Sequence, residues 1–413
     1  MRTSVERVLK TVAGFAAFGL FWGAWGAILP AVRAGAGVND GELGVALLMI
    51  GLGALVSMRF TGYLIDRYGG IVLPVVVALF AICGVLPALA GSVGSLIGAL
   101  LLLGATSGAT DVAINATGSH AEAASGRPVM NLAHGMFSVA VVVASLGTAG
   151  LRAAGVGALP ILGATATLII ITATLALRPT STQPTPNTTD PSTTPGGVGA
   201  SSTPGAAGQG GAPGATGPSD LRRRRLEPAL LVFGVLCAIA YLVENAWQSW
   251  SAVHLDTSLH APAGLASSAP AVFAAAAATG RFAGNALLKR ARPVQLLVVG
   301  GLVAAVGSLV AATANDPWAA LIGIGVAGLG TSVCAPTIIG MAGAWAGPDR
   351  RAGAISVVTT IAYLGFLIGP AAVGAVSSEW SLPVALGGVA VLAVVVAAFA
   401  PVAGRIAGRR PLG

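Results

Sequence analysis

Twelve apolar stretches dominate this chain of 413 residues, each close to the length of a membrane-crossing helix. A spanning helix needs about 20 mostly apolar residues. The stretches run over roughly 8–32, 42–65, 71–90, 93–118, 129–151, 155–178, 227–253, 263–288, 294–314, 317–345, 353–377 and 381–403. Composition agrees with them. Charged residues make up 9% of the chain and mean hydropathy is +0.85, whereas ordinary soluble domains carry about 25% charge. The first stretch follows Arg2, Arg7 and Lys10, as a signal peptide would, but it is too long for a signal-peptide core. The expectation is an all-α integral membrane protein with 12 transmembrane helices. Cys83, Cys237 and Cys334 lie far apart inside apolar runs, which excludes a disulfide scaffold and a Cys-x-x-Cys metal site.

The net charge of +8 could suggest nucleic acid, but its placement argues otherwise. With the N-terminus in the cytoplasm, 20 of the 22 Lys and Arg fall on the cytoplasmic side, Arg281 among them. Only Arg33 and Arg152 fall outside. Such a bias orients membrane proteins, so both termini are expected in the cytoplasm. The stretch from Pro179 to Asp220 is different in kind. There, 36 of 42 residues are Pro, Thr, Ser, Gly or Ala. Such a composition cannot offset the entropy of ordering, and a disordered cytoplasmic linker is expected over 179–225, with Arg222 to Arg225 as a basic anchor at the membrane surface. The domains expected are a six-helix bundle over 1–178 and a second over 226–413.

The two halves share features at a near-constant displacement. Trp22 and Trp25 recur as Trp247 and Trp250, displaced by 225. Gly62 to Arg67 can be laid over Asn285 to Arg290, displaced by 223, and Thr106-Ser107 over Thr331-Ser332, displaced by 225. A duplicated, pseudo-symmetric pair of bundles places a substrate cavity at their interface near mid-membrane.

Gly62-Tyr63-Leu64-Ile65-Asp66-Arg67-Tyr68-Gly69 follows the second span and resembles the G-x-L-x-D-R-x-G loop of the major facilitator superfamily. The copy in the second half has Lys289 in place of Asp66. Four further runs narrow the resemblance: Trp25 to Arg33, Thr110 to Asn115, Asn131 to Ser138, and Trp250 to Leu255. With Tyr363 to Pro370 they are similar to the inner-membrane YbjJ-type transporters, a branch related to the fucose permeases. The resemblance implies several roles. Gly62, Asp66, Arg67 and Gly69 would hold adjacent helices in one conformation. Asp111, with Asn115 one turn on, matches an acid–amide pattern that takes part in proton coupling. His134 stands where a polar residue after Asn131-Leu132-Ala133 contacts sugar.

The residues themselves point to the same places. Asp111 and Glu244 are the carboxylates deep within spans. Intramembrane acids usually face a wet cavity or a partner, and loss of water disfavours the charged form of a carboxyl group. Asp111 is expected as the proton-coupling acid, with Glu244 as the alternative; otherwise Asp111 only ties helices together. His134 could approach Asp111 as a pH-responsive partner or be a histidine that does not titrate. Glu244, Trp247 and Gln248 share one helical face with Asn245 beside it, a set suited to a polyhydroxylated or cationic solute. Trp250 is expected in an interfacial aromatic belt, and Trp247 there or in the site. Trp22, Trp25, Asn115, Asn131, Cys334, Thr337 and Tyr363 complete the substrate-binding expectation. Cys334, Pro336 and Thr337 offer a kink and freed backbone groups.

The function expected is secondary active transport of a small organic solute by alternating access. Proton coupling and a polar, sugar-like substrate are part of that expectation. Drug or metabolite efflux is the alternative, and a non-transporting receptor or scaffold is the rival of a different class. No nucleophile motif, metal-ligand spacing or phosphate loop points to an enzyme, a metal or a cofactor. The partners expected are a solute, protons and the lipid bilayer of the plasma (inner) membrane, with no nucleic acid and a monomeric state.

Overall fold

The computed structural model of the protein describes residues 2–126, 128–177, 227–287 and 291–408. The linker expected over 179–225 and the basic residues Arg127, Arg178, Lys289, Arg290, Arg409 and Arg410 lie outside the described residues.

Among the described residues, thirteen α-helices follow in order: α1 (Arg2–Ala36), α2 (Asp40–Tyr68), α3 (Val72–Val85), α4 (Val93–Ser125), α5 (Val129–Ala153), α6 (Ala158–Leu175), α7 (Pro228–Val253), α8 (Ala263–Leu287), α9 (Pro293–Thr313), α10 (Pro317–Thr331), α11 (Cys334–Ala346), α12 (Arg351–Glu379) and α13 (Leu382–Ala407). Among the described residues, 11 continuous stretches are long and apolar enough to cross a membrane. One of them, Asp40–Leu89, holds 50 residues. At 1.5 Å per residue a straight helix of that length would far exceed the hydrocarbon core of about 30 Å. It turns back instead between α2 and α3 at Gly69–Ile71, and so supplies two spans. Twelve spans result, and α10 and α11 form one of them, Pro317–Ala346.

Local chemistry explains the two interruptions. Gly69 ends α2 with φ 60°, a left-handed value that favours glycine, and its N–H donates to the Ile65 carbonyl. The α10–α11 break falls at Ser332–Val333, four residues before Pro336. Proline has no N–H to offer the carbonyl four residues back, so the ladder is cut there.

The packing repeats between the first six spans and the last six. α1 packs on α5 and α6, α2 on α4, and α3 on α4 and α6; α7 packs on α12 and α13, α8 on α10, and α9 on α10 and α13. Two seams join the sets, α2 with α12 and α5 with α8. This is the pseudo-symmetric two-bundle fold. Glycine sets the closest approaches, as expected where no hydrophobic force separates helix from lipid and packing carries the association. A Cβ at Gly53 would strike the Leu101 carbonyl, one at Gly104 the Ile50 carbonyl, and one at Gly365 the Ala238 carbonyl.

Gly365→Val should therefore lower the thermal unfolding midpoint of the detergent-solubilised protein, since overpacking costs about 1–3 kcal/mol. Gly387→Ala, where a Cβ meets open space, should not lower it. Equal midpoints for wild type and Gly365→Val would remove this contact from the account.

Candidate functional site

Six helices, α1, α2, α5, α7, α8 and α12, surround a cavity of about 220 Å³ at the interface of the two bundles. Its walls differ in chemistry. The first six spans contribute Trp22, Trp25, Leu29, Leu47 and Phe137 with the single hydroxyl of Ser138; the last six contribute Tyr241, Glu244, Asn245, Gln248, Ser249, Arg281, Thr359 and Tyr363 beside apolar residues such as Phe273 and Phe366. Trp25 stacks on Phe21 with ring centroids 6.4 Å apart, and Trp22 stands edge-on to Phe18 and Phe21.

Glu244 on α7 and Arg281 on α8 are the charged residues of this lining. Arg281 Nη2 donates to Glu244 Oε1 at 2.7 Å. Gln248 Nε2, one turn along α7, donates to the same oxygen at 3.2 Å. The Nε of Arg281 is buried and has no hydrogen-bond partner among the described residues. A charge removed from water is tolerated where a partner compensates it, so each member of the pair keeps the other in place. The charge map above counted Arg281 with the cytoplasmic basic residues. The structure instead turns it into the cavity. The readable signal was position, because Arg281 lies seven residues inside the expected end of its span.

Asn245 is committed to the backbone. Pro370 on α12 leaves the Phe366 carbonyl without its helical donor, and Asn245 Nδ2 donates to that oxygen at 2.6 Å. Asn245 Oδ1 accepts from Ser249 Oγ at 3.3 Å. Tyr363 stacks on Phe366 with centroids 5.8 Å apart. One residue thus ties α7 to α12 beside the charge pair.

The remaining candidate residues lie outside this wall. Asp111 is buried in α4, and Asn115 Nδ2 donates to its Oδ1 at 3.1 Å and to its carbonyl at 2.8 Å. Asp111 Oδ2 is buried and unpartnered among the described residues. His134 packs edge-on against Phe15 at 4.7 Å, and no hydrogen bond joins it to Asp111 among the described residues. Asn131 is exposed near the start of α5. Cys334 and Thr337 are buried in α11, where Thr337 Oγ1 donates to the Val333 carbonyl at 2.6 Å. Trp247 is fully buried, and its Nε1 donates to Ser308 Oγ at 2.8 Å. Trp250 is fully buried too, so the interfacial belt expected for it is not its place. In the loop motif, Asp66 and Arg67 are exposed, and the Arg67 guanidinium lies 5.7 Å from the centre of the Tyr68 ring.

The tryptophans correct the phase of the repeat. Trp22, Trp25 and Gly26 line the cavity, and so do Asn245, Gln248 and Ser249. These are displaced by 223 (245 − 22, 248 − 25, 249 − 26), the displacement of the loop motif. Matching tryptophan to tryptophan slips the comparison by two residues, about 200° of helix, and turns Trp247 and Trp250 away from the cavity.

One end of the cavity is closed. Arg33 Nη2 lies 2.7 Å from Asp40 Oδ1, and the Ser377 hydroxyl of α12 donates to Asp40 Oδ2. Gly44 of α2 meets Gly374 of α12, and Gly264 of α8 meets Ala149 and Ala153 of α5. At the other end of these seam helices, Arg59, Phe60, Asn131, Phe282 and Thr360 are exposed.

Comparison with known proteins gives a consistent set of likenesses. The profile of the Major Facilitator Superfamily matches residues 11–313 and 235–407. An uncharacterized MFS-type transporter of Yersinia pestis is 31% identical over 97% of this chain and 96% of its own length. A bacterial homolog of the human lysosomal transporter Spinster, in an inward-facing and unoccupied conformation, superposes with a TM-score of 0.74 at 16% identity, covering 99% of this chain and 98% of that one. The transporter FucP, in an outward conformation, gives 0.57 at 17% identity over 96% and 98%.

Because the charge pair is shared between two helices, its members should not act independently on stability. Glu244→Gln and Arg281→Gln should each destabilise the purified protein. The double variant should lose less than the sum, with a coupling of about 0.5–3 kcal/mol in thermal or chemical unfolding. Strict additivity would show that the pair contributes nothing as a pair.

Proposed function

From the premise that the chain belongs to the major facilitator superfamily, we propose that it is a secondary active transporter moving a small organic solute by alternating access. The observation that carries this reading is the cavity itself: a buried charge pair and neutral polar groups between two bundles, closed at the Asp40–Ser377 end. The bundles, over 1–178 and 226–413 with 179–225 between them, rock about this site. The closed end faces outward and both termini face the cytoplasm of a bacterial plasma membrane, because basic residues crowd the opposite end. The conformation is thus inward-open. The exposed Asp66 and Arg67 fit it, since in this reading their contacts form when the cytoplasmic end closes.

A polar, sugar-like metabolite suits the lining better than a drug-like amphiphile. Gln248, Ser249, Thr359 and Tyr363 offer neutral hydrogen-bonding groups, while Trp22 and Trp25 offer an apolar face to a ring or chain. Efflux of such a solute uses the same site with the gradient reversed. Proton coupling falls to Asp111 and Glu244. Asp111, with Asn115 on one oxygen and the other oxygen unpartnered, serves as a relay behind the wall. Glu244 stands on the wall. His134, half-buried on α5, serves the relay or the solute. The protein acts as a monomer, since each copy holds a complete cavity.

Purified protein in proteoliposomes tests this. An imposed pH gradient should drive saturable accumulation of at least one solute from a panel of polar metabolites. Asp111→Asn should abolish gradient-driven accumulation while sparing solute exchange; unchanged accumulation would remove Asp111 from the relay. Cysteines at 153 and 264, in a background with Cys83, Cys237 and Cys334 replaced by Ser, should cross-link in the inward-open state. That yield should fall when a transported solute is present. Cross-linking that no solute alters would argue against alternating access.

A further inference from the structure

The charge pair narrows the solute class, on the premise that the transporter reading holds. Nη2 and Nε lie along one edge of a guanidinium and together grip the two oxygens of a carboxylate. In Arg281 that edge is half used. Nη2 holds Glu244 Oε1, while Nε is buried without a partner among the described residues. Gln248 holds the same Glu244 oxygen from the α7 side, so Glu244 meets Arg281 through one oxygen. The pair falls short of the bidentate geometry that both groups can make.

Charge balance then decides which ligand completes it. Glu244 and Arg281 are the charged residues of the lining, and they sum to zero. An added net charge in such a place is costly unless another charge disappears. The two partners differ in what they can give up. A carboxylate can take a proton; a guanidinium cannot lose one in a protein. An anion can therefore enter together with a proton and leave the site neutral. A cation would leave it positive while Glu244 stays with Arg281.

We propose that the solute carries a carboxylate that docks on the Nη2–Nε edge of Arg281 in place of Glu244, and that Glu244 takes up the accompanying proton. The proton comes from water at the open end and adds to the Glu244 carboxylate. The solute carboxylate then accepts two hydrogen bonds from Arg281, and no bond within the solute changes. The titratable groups facing Glu244 are Arg281 from α8, Cys237 and Tyr241 from its own helix, and Cys334 from α11; α12 brings Tyr363 to the cavity, and α1 brings the two tryptophans. Gln248, Ser249, Thr359 and Tyr363 bring neutral amide and hydroxyl groups to a lining that is otherwise mostly apolar, and the cavity is small. The fitting class is a hydroxylated monocarboxylic acid. Arg281 is thereby its specificity-determining residue.

The test uses full-length protein in nanodiscs, with glycolate, lactate and gluconate as probes. Their amides serve as neutral matches, and sorbitol and glucose as uncharged polyols. Wild type should bind at least one of the acids in preference to its amide, more tightly as pH falls. Glu244→Gln, which mimics the protonated acid, should bind that acid about tenfold more tightly (a 1.4 kcal/mol gain by the affinity relation) with the pH dependence gone. Arg281→Gln should lose the preference for acid over amide. Weaker acid binding in Glu244→Gln, or amides bound as well as acids in wild type, would overturn the proposal. If Glu244→Gln folds poorly, the wild-type comparison decides alone, because amide binding must not follow pH as acid binding does. Accumulation of sorbitol or glucose in proteoliposomes without that of any acid would sink the carboxylate and leave the transporter standing. Folded protein that neither binds nor moves any probe would count against both.

Discussion

Hydrocarbon offers no partner to a backbone N–H or C=O, and the rest of this structure follows from that constraint. Helices satisfy it internally, and departures from the helix sit where something else meets the need. Pro370 deprives the Phe366 carbonyl of its donor, and Asn245 supplies one from the neighbouring helix. Pro336 cuts the ladder at Ser332, and the chain divides into α10 and α11. The first of these repairs lies beside the cavity. An amide spent on a backbone carbonyl is thus also what fixes α7 against α12 next to Glu244.

The same environment explains why glycine rather than leucine sets the helix spacing. Lipid tails are as apolar as any side chain, so close contact must supply what water supplies in a soluble core. Gly53 and Gly104 bring α2 and α4 backbone to backbone, and Gly365 does the same for α12 on α7. Helices held this close leave little freedom to shift singly within a bundle. The seam between bundles is different. Beside the Gly44–Gly374 and Gly264–Ala153 contacts it uses a serine hydroxyl and a carboxylate at the helix ends, Ser377 and Asp40. Polar contacts can be exchanged for others of their kind, whereas close backbone packing cannot. In the proposed alternating-access cycle this polar edge is the contact that releases when the closed end opens.

Much of the fold was legible because it depends on bulk properties. Span length and the loop ending at Gly69 are written locally along the chain, and the structure turns the chain at the places they mark. The site was less legible because it depends on helix rotation. Glu244 could be found as a charge in an apolar run. Its partner was harder to see: Arg281 lies seven residues inside the expected end of its span, yet that close to a span end it resembles the other basic residues that orient the chain. Only packing turns its side chain inward. Rotation also explains the tryptophans. Identity at a displacement of 225 is conspicuous to the eye, but a helix reads phase, and two residues reverse the face. Trp22 reaches the cavity while Trp247 spends its N–H on Ser308.

In the corrected phase the two halves agree in geometry and part in chemistry. The position related to Glu244 (244 − 223) is Phe21, and that related to Arg281 (281 − 223) is Met58. Duplication supplied two matching sets of helices and two matching seams, but only the second half places charge on the wall. A symmetric site would bring four buried charges into a small cavity, and their desolvation would have to be met by ligands or water at every stage of the cycle. A single pair opposite an aromatic wall avoids this. The empty site is neutral through its own salt bridge, and the facing wall brings few polar groups: the indole N–H groups of Trp22 and Trp25, and the Ser138 hydroxyl, which donates to the His134 carbonyl. The unequal chemistry of equal halves therefore leaves the empty cavity neutral, and on the proposed reading the filled one as well.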